Sequence, residues 1–314
     1  MSLEPHPESL LRAPDGRPVS LKVHRCNWSG DHPENSLAAI RECYRAGVAR
    51  AEIDFGMLLD ADFLVTHDEE LDHATTGTGR VSVTTRSEAR RLRFRRPGRQ
   101  GGEASNDGPP LLSEVVDLIL AEPGPTLLEL DIKDFEPWPW PRVEELARLI
   151  EPVKERVVVG GCPDWNLRRL LRIDPSLPVG FDPQFYLDWA PEDDDPEPLP
   201  GVRGAYGYLD AHVLARERLG LTADYLADRL GGLSRLVPGS RDVHLSLAFF
   251  ERMLEDGLNA VELFHAAGQR VDVWTLDADT PRWRDRLARA VAAGADIVTT
   301  NTPRALAAAG DPAG

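Results

Sequence analysis

Short apolar segments alternate with longer amphipathic segments along most of the chain. The short segments are rich in Leu and β-branched residues, which predicts buried strands, and apolar positions spaced by three and four residues predict helices. This alternation is typical of βα units on a parallel sheet. The predicted strands cover residues 21–25, 51–55, 63–67, 126–132, 156–160, 177–181, 242–246, 271–276 and 296–300. The predicted helices cover residues 37–46, 112–121, 143–150, 167–173, 258–267 and 283–293.

Nine predicted strands are one more than a (β/α)8 barrel holds. Either residues 63–67 return beside residues 51–55 through the turn at 60–62, or residues 242–246 form an irregular extra strand. Two segments break the alternation and predict surface loops, a flexible one at 95–110 and an acidic, proline-rich one at 189–201. Strand-helix units continue on both sides of each loop. We therefore predict a (β/α)8 TIM barrel with extended loops, as a single domain over residues 1–314.

Glycines mark the predicted ends of three helices. Gly47, Gly268 and Gly294 each follow an amphipathic segment. A left-handed residue closes many helices, and glycine adopts that conformation without strain. All three positions are predicted C-caps.

Composition and charge narrow the possible functions. The chain has 314 residues, 42% of them hydrophobic, and a net charge of -16. Such a charge repels long nucleic acids, although a local cationic or metal-bearing cleft still suits a small phosphate. No apolar run approaches the roughly 18 residues of a spanning helix, and no hydrophobic interfacial helix is evident, so we predict no stable membrane association.

The number and spacing of the cysteines indicate the cellular compartment in which the protein is expected. The three cysteines, Cys26, Cys43 and Cys162, are odd in number and lack CxxC spacing, which argues against a disulfide framework or a structural zinc site. Residues 1–16 contain no apolar core of the kind found in a secretory signal. We therefore expect a cytoplasmic protein.

Acidic residues alternate on two predicted strands. Glu52 and Asp54 are two residues apart and therefore share one face of their strand, as do Glu129, Asp131 and Lys133 on a more apolar strand. Exposed, solvated acids are the ordinary alternative, but acids on a buried strand need a cation. Because all the ligands would be oxygens, Mg²⁺ or Ca²⁺ is predicted in preference to zinc.

Two histidines stand at predicted strand ends. His24 is followed by Arg25, and His67 by Asp68. The carboxyl ends of barrel strands build the active site, so these positions suit acid-base chemistry. His244 lies on another predicted strand and is predicted to line the same pocket.

The order of these motifs resembles the glycerophosphodiester phosphodiesterases over about residues 20–306. That family's pattern is His-Arg-Gly, Pro-Glu-Asn-Thr/Ser, Glu-x-Asp, His-Asp, Leu-Asp, Thr-Thr-x-x-Gly, Glu-x-Lys, Val-Trp-Thr and a last strand that ends before Pro. The corresponding residues here are 24–26, 33–36, 52–54, 67–68, 71–72, 75–79, 131–133, 273–275 and 299–303.

The resemblance implies a barrel enzyme that hydrolyses a small phosphodiester to an alcohol and a phosphomonoester. It also implies a role for each matching residue: Glu52, Asp54 and Asp131 as metal ligands, His24 and His67 as general acid and base, Arg25 and Lys133 as phosphate contacts, and Trp274 in the alcohol pocket. Mg²⁺ or Ca²⁺ and fixed cations would offset charge on the phosphoryl oxygens. The nucleophile is either water or a neighbouring substrate hydroxyl that passes through a cyclic phosphate.

Three positions depart from the family pattern. Cys26 replaces the glycine and either packs into the core or lines the pocket. Asp131 replaces a glutamate and is one methylene shorter, so that Glu129 is an alternative third ligand. Asn301 stands where the family often has Asp.

Two other functions are compatible with the same motifs. A phosphodiesterase of the sphingomyelinase D or lysophospholipase D kind would share the barrel and form a cyclic phosphate, but it needs an exposed apolar rim. A non-catalytic binding barrel would have no need of both histidines and the acids.

Overall fold

Eight parallel strands form a barrel in the computed structural model, which describes residues 4–95, 104–194 and 199–309. Each strand pairs with its neighbours in chain order, and β8 pairs with β1. A parallel bridge between Val159 and Val179 joins β4 to β5 and completes the ring. The barrel strands are β1 (Pro18–Val23), β2 (Arg50–Met57), β3 (Leu127–Ile132), β4 (Val157–Gly160), β5 (Gly180–Phe181), β6 (Asp242–Ser246), β7 (Arg270–Trp274) and β8 (Ile297–Thr300). The predicted (β/α)8 fold is confirmed.

The ninth predicted strand belongs beside β2. Phe63–Leu64 pairs antiparallel with the end of β2, with Phe63 opposite Met57. Asp62 in the connecting turn has φ 68°, and its carboxylate accepts the backbone N–H of Phe63 at 2.8 Å. The first of the two alternatives is therefore correct, and residues 242–246 form a regular barrel strand. Strand pairing ends at Leu64, three residues before His67.

Ten helices accompany the barrel in the described residues. Three have the predicted bounds, and the predicted helices at 143–150, 167–173 and 258–267 are found with shifted ends. They are α1 (Leu37–Ala46), α2 (Arg86–Ala89), α3 (Leu112–Ala121), α4 (Trp140–Ile150), α5 (Asp164–Ile173), α6 (Thr222–Leu233), α7 (Leu247–Glu255), α8 (Ala260–Ala266), α9 (Trp283–Ala293) and α10 (Pro303–Ala309). Gly47, Gly268 and Gly294 have φ of 71°, 77° and 107°, as predicted for helix ends. Within the described ranges, no helix has both the length and the apolar character needed to cross a bilayer.

The two predicted loops are described only in part. Residues 96–103 of the first and 195–198 of the second lie outside the described residues. The described flanks of the first loop pair with each other, since Arg95 bridges Ala104. After the second loop, Leu209–Asp210 pairs antiparallel with Leu187–Asp188.

The centre of the barrel is filled by a charged cluster. Lys22 on β1 places its Nζ 2.8 Å from Glu129 Oε2 and 2.6 Å from Asp272 Oδ2. His244 Nδ1 lies 2.9 Å from the same Asp272 carboxylate. All four side chains are buried, and a buried charge is tolerated only when it is paired and hydrogen-bonded. Lys22 therefore neutralises Glu129 beneath the mouth of the barrel.

Gly180 makes room for this cluster. A Cβ at position 180 would lie 2.3 Å from His244 Nε2. Gly180→Ala is expected to lower the free energy of unfolding, measured in urea, by about 1–3 kcal/mol because the core would be overpacked. Gly231→Ala is the matched control. Gly231 lies in α6, and a Cβ there meets nothing within 4 Å, so stability should rise by about 0.5–1 kcal/mol. Equal effects of the two changes would contradict this account.

Candidate active site

A tight turn at the end of β1 begins the site. β1 ends at Val23, so the predicted strand 21–25 is too long, and His24–Cys26 forms a 3-10 turn. Arg25 and Cys26 have φ of 49° and 54°, in the left-handed region. This conformation explains why glycine suits position 26 and turns the Arg25 backbone N–H toward Glu52 Oε2, which accepts it at 2.8 Å.

Three carboxylates converge beside this turn. Asp54 on β2 lies directly opposite Asp131 on β3, and Glu52 precedes Asp54 on the same face. Oxygens of Glu52, Asp54 and Asp131 all lie within 4.8 Å of one another. Glu52 and Asp54 are 4% and 0% exposed, so they are not the solvated acids of the ordinary alternative.

The donor set fits a hard divalent cation. The buried Glu52 Oε1 receives no hydrogen bond from any residue that the structure describes. Burial and, after it, the neighbouring Asp54 raise the pKa of Glu52 well above its ordinary range. A cation held by carboxylate oxygens would satisfy Oε1 and favour the ionised form of Glu52. Asp131 reaches this cluster despite its shorter side chain.

Two fixed cations contact the same acids. Lys133 Nζ lies 2.9 Å from Asp54 Oδ1 and 2.5 Å from Asp131 Oδ2, and Arg25 Nε lies 3.2 Å from Asp54 Oδ2. Against the opposing effect of burial, Lys133, His67 and Arg25 lower the pKa of Asp54. Asn35 also donates from Nδ2 to Asp54 Oδ2 at 2.9 Å. Asp54 is therefore held in its ionised form.

The two histidines are each oriented through Nδ1. His24 Nδ1 lies 2.8 Å from Asn301 Oδ1, and His67 Nδ1 lies 2.8 Å from Asp68 Oδ1. Nε2 of His24 is 3.9 Å from Glu52 Oε2. Burial and, after it, Arg25 lower the pKa of His24. His67 follows a short hairpin strand and does not end a barrel strand as predicted.

A pocket of about 700 Å³ connects these groups. Its lining includes Trp274, at the end of β7, and His244. The same pocket is lined by His24, His67, Arg25, Glu52, Asp131 and Lys133. Beside it lies an open groove of about 1200 Å³ that shares Arg25, His67, Asp68 and His73 with the pocket.

Two residues predicted for the site have other surroundings than expected. The Cys26 side chain is fully buried in the core, and the Cys43 thiol donates to the Cys26 carbonyl oxygen at 3.5 Å, so Cys26 packs instead of lining the pocket. Glu129 lines the pocket floor but is grouped with His244 and Asp272. Glu129 pairs with Lys22, and its oxygens are not grouped with those of Glu52 and Asp54, so the geometry favours Asp131 as the third ligand.

Asp182 also lines this pocket and was not predicted from the sequence. Asp182 directly follows β5, and its Oδ1 accepts the backbone N–H of Gln184 at 2.8 Å. Burial raises the pKa of Asp182 from 3.8 to about 7. The available signal was its position immediately after a predicted strand, because polar residues at strand ends were the reason for choosing the two histidines.

The raised pKa of Asp182 makes stability depend on pH. Between about pH 4 and pH 7 the folded protein holds a proton that the unfolded chain has lost, so this group makes stability fall as pH rises through that window. In EDTA, Asp182→Asn is expected to raise the free energy of unfolding relative to the parent protein. The gain should grow up to pH 7 and then stay constant at roughly 1–4 kcal/mol. Urea unfolding at several pH values measures it.

The exposed Asp117 on α3 offers a control. Asp117→Asn should give no gain that grows with pH. A pH-independent effect of Asp182→Asn would contradict the assignment of the raised pKa.

Fold and site together define a (β/α)8-barrel protein with an acid cluster, two fixed cations and two oriented histidines at its carboxyl-terminal rim. Residues 24–168 match the model of the glycerophosphoryl diester phosphodiesterase family. This match confirms the resemblance found in the sequence.

Curated relatives carry the same family name. A glycerophosphodiester phosphodiesterase of Caldanaerobacter subterraneus subsp. tengcongensis is 30% identical over 155 residues, which cover 48% of this chain and 60% of that protein. Glycerophosphodiester phosphodiesterase 1 of Bos taurus is 37% identical over 98 residues, 31% of this chain and 29% of that protein. The matches therefore span 60% or less of these relatives.

Solved structures share the whole fold at low identity. A phosphodiesterase of Oleispira antarctica, in complex with the product sn-glycerol-3-phosphate, has a TM-score of 0.61 at 18% identity and covers 92% of this chain and 95% of its own. A glycerophosphodiester phosphodiesterase of Agrobacterium tumefaciens has a TM-score of 0.58 at 17% identity, covering 92% and 99%. At such identity the likeness establishes the barrel alone.

Proposed function

We propose that this protein hydrolyses a glycerophosphodiester or a similar small phosphodiester to an alcohol and a phosphomonoester, with the help of a divalent cation. The observation that carries the proposal is the convergence of three carboxylates, two fixed cations and two histidines on one pocket. The names of the relatives and the product bound to the Oleispira protein support the substrate class.

The three acids would hold the cation. Glu52, Asp54 and Asp131 offer only oxygen ligands, which suits Mg²⁺ or Ca²⁺. When bound, the ion would polarise a phosphoryl oxygen and offset the charge that develops there.

Arg25 and Lys133 would complete the charge balance. Both contact Asp54 from the pocket side, next to the place where the phosphate would sit. A phosphodiester is an anion and repels a nucleophile, so fixed cations at its oxygens lower the barrier without reorganising during the reaction.

The two histidines would move the protons. One ring accepts at Nε2 a proton of the attacking oxygen while a new P–O bond forms; that oxygen belongs to water, or to a substrate hydroxyl whose cyclic phosphate water then opens. The other donates a proton from Nε2 to the leaving alcohol oxygen as its P–O bond breaks. Because Nδ1 is engaged in both His24 and His67, Nε2 is the atom available for transfer.

The pocket favours a polar substrate over a lipid. Its lining is dominated by charged and polar side chains, with Trp274 and Phe135 as its aromatic members. A lining of this kind suits a polar head group better than an acyl chain, which counts against the sphingomyelinase D and lysophospholipase D alternative. The three free cysteines of the chain support action in a reducing cytoplasm.

A substrate panel tests this proposal. The purified protein with Mg²⁺ would be incubated with glycerophosphocholine, glycerophosphoinositol or lysophosphatidylcholine, and the products identified by ³¹P NMR. We expect sn-glycerol 3-phosphate from the first two. A cyclic phosphate formed from the lysolipid alone would support the lipid-directed alternative, and binding without turnover of any substrate would indicate the non-catalytic barrel.

A further inference from the structure

The amide of Asn301 stands between His24 and a carboxylate that the motifs did not single out. Asn301 Oδ1 lies 2.8 Å from His24 Nδ1, and Asn301 Nδ2 lies 2.8 Å from Asp277 Oδ2. Asp277 follows β7 and Asn301 follows β8, so the connection runs across two neighbouring strands to the end of β1.

Asp277 determines which way the amide points. Its Oδ1 accepts the Asn301 backbone N–H at 2.6 Å and the Thr300 hydroxyl at 3.0 Å, and its Oδ2 accepts Asn301 Nδ2. An ionised carboxylate only accepts hydrogen bonds, so the amide nitrogen must face Asp277. The amide oxygen must then face His24.

The amide in turn determines the tautomer of His24. An oxygen opposite Nδ1 requires a donor there, so the proton of the neutral imidazole lies on Nδ1. Nε2 then carries the lone pair and faces the pocket, 3.9 Å from Glu52 Oε2.

We propose that Asp277 and Asn301 are positioning residues that hold His24 as its Nδ1–H tautomer, with Nε2 ready to accept the proton of the nucleophile. The inference rests on the proposed function for the role of His24. In the transfer, the proton moves from the attacking oxygen to Nε2, while the Nδ1–H bond to Asn301 persists.

The single substitution Asp277→Asn should reverse the orientation of the Asn301 side-chain amide. In Asp277→Asn, the side-chain oxygen keeps the bonds from the Asn301 backbone N–H and the Thr300 hydroxyl, so its NH₂ group faces Asn301. Asn301 must then turn its oxygen toward residue 277 and its nitrogen toward His24. Nδ1 becomes an acceptor, and the proton of the ring moves to Nε2.

Adding Asn301→Asp to Asp277→Asn should restore the original tautomer of His24. In the double variant Asp277→Asn, Asn301→Asp, the carboxylate at 301 accepts both the NH₂ group of residue 277 and the Nδ1–H of His24. Charge and volume match the parent protein, with the two groups exchanged. A purely structural role for Asp277 would give no reason for this rescue.

Long-range ¹H–¹⁵N NMR of ¹⁵N-histidine-labelled, EDTA-treated protein reads the tautomer without turnover, and His24→Gln assigns the signal. We expect Nδ1–H in the parent protein, Nε2–H in Asp277→Asn and Nδ1–H again in the double variant. With glycerophosphocholine and Mg²⁺, kcat of the single variant should fall by about 10²–10⁴-fold at little changed KM and recover in the double variant. Asp279→Asn, an exposed neighbour, should change neither.

An unchanged tautomer in Asp277→Asn, or the same tautomer in the single and double variants, would overturn the inference. The expected tautomers together with no phosphodiester turnover in the parent protein would support the positioning role and refute the proposed function. If the single variant fails to fold, an Nδ1–H tautomer in the folded double variant supports the inference and an Nε2–H tautomer overturns it.

Discussion

His24→Gln is expected to lower kcat for glycerophosphodiester hydrolysis by about 10²–10⁴-fold, because glutamine can fill the space of the imidazole but cannot exchange a proton near neutral pH. KM should change little, since Arg25 and Lys133, the proposed phosphate contacts, remain in place. Initial rates over a range of substrate concentrations, with Mg²⁺ present, separate the two constants. His67→Gln should have a similar effect.

A histidine outside the pocket provides the control. His265 Nε2 lies 2.8 Å from Asp296, which precedes β8 and so lies at the amino-terminal end of the barrel. His265→Gln should leave kcat within about twofold of the parent value, since general acid-base catalysis requires hydrogen-bond reach of the substrate. Full activity in both His24→Gln and His67→Gln would remove the acid-base assignment.

Asp54→Asn is expected to abolish stabilisation by the divalent cation and, with it, activity. Asp54 is fully buried, and its oxygens face Lys133, Arg25 and the other two acids, so an amide there would remove a central ligand and the counter-charge of both cations. A ligand at 100 times its Kd stabilises a folded protein by about 2.7 kcal/mol. Urea unfolding with and without Mg²⁺ or Ca²⁺ measures this gain.

The parent protein should show the full cation-induced gain in the free energy of unfolding, and Asp54→Asn should show none. Asp117→Asn on the exposed face of α3 should keep the whole gain, because it changes one carboxylate without touching the acid cluster. Comparing the gains, and not the absolute stabilities, removes the effect of the substitution on the metal-free protein. Equal gains in Asp54→Asn and the parent protein would exclude Asp54 as a ligand.

Local signals explain why the barrel was predictable. Most βα units carry their own apolar strand and amphipathic helix, as in α1, where the Ser36 hydroxyl accepts Ala39 N–H at 3.1 Å and Gly47 ends the helix. Strand lengths were less accurate. The prediction 177–181 includes Pro178, which has no N–H to donate, and β5 is confined to Gly180–Phe181.

Two of the helices that were not predicted show no clear helical period. α7 begins directly after β6, with Ser246 as its N-cap, and its first turn is apolar on every side, which hides the helical period. α6 lies in the long irregular region between β5 and β6.

The prediction of a single domain over residues 1–314 remains a prediction.

The candidate site was also predictable only in part. Spacing of two on a strand was enough to bring Glu52 and Asp54 together. Contacts between distant segments were not predictable, because Lys22 neutralises Glu129 from 107 residues away and Asn301 reaches His24 from 277 residues away. The left-handed turn at Arg25 is likewise set by its surroundings, since arginine has no intrinsic preference for it.

We propose that phosphodiester hydrolysis requires a divalent cation held by Glu52, Asp54 and Asp131. The most direct measurement is ³¹P NMR of glycerophosphocholine with EDTA-treated protein, before and after addition of excess Mg²⁺ or Ca²⁺. We predict no product in EDTA and steady formation of sn-glycerol 3-phosphate once the cation is added. Hydrolysis at the same rate in EDTA as with added cation would contradict the claim.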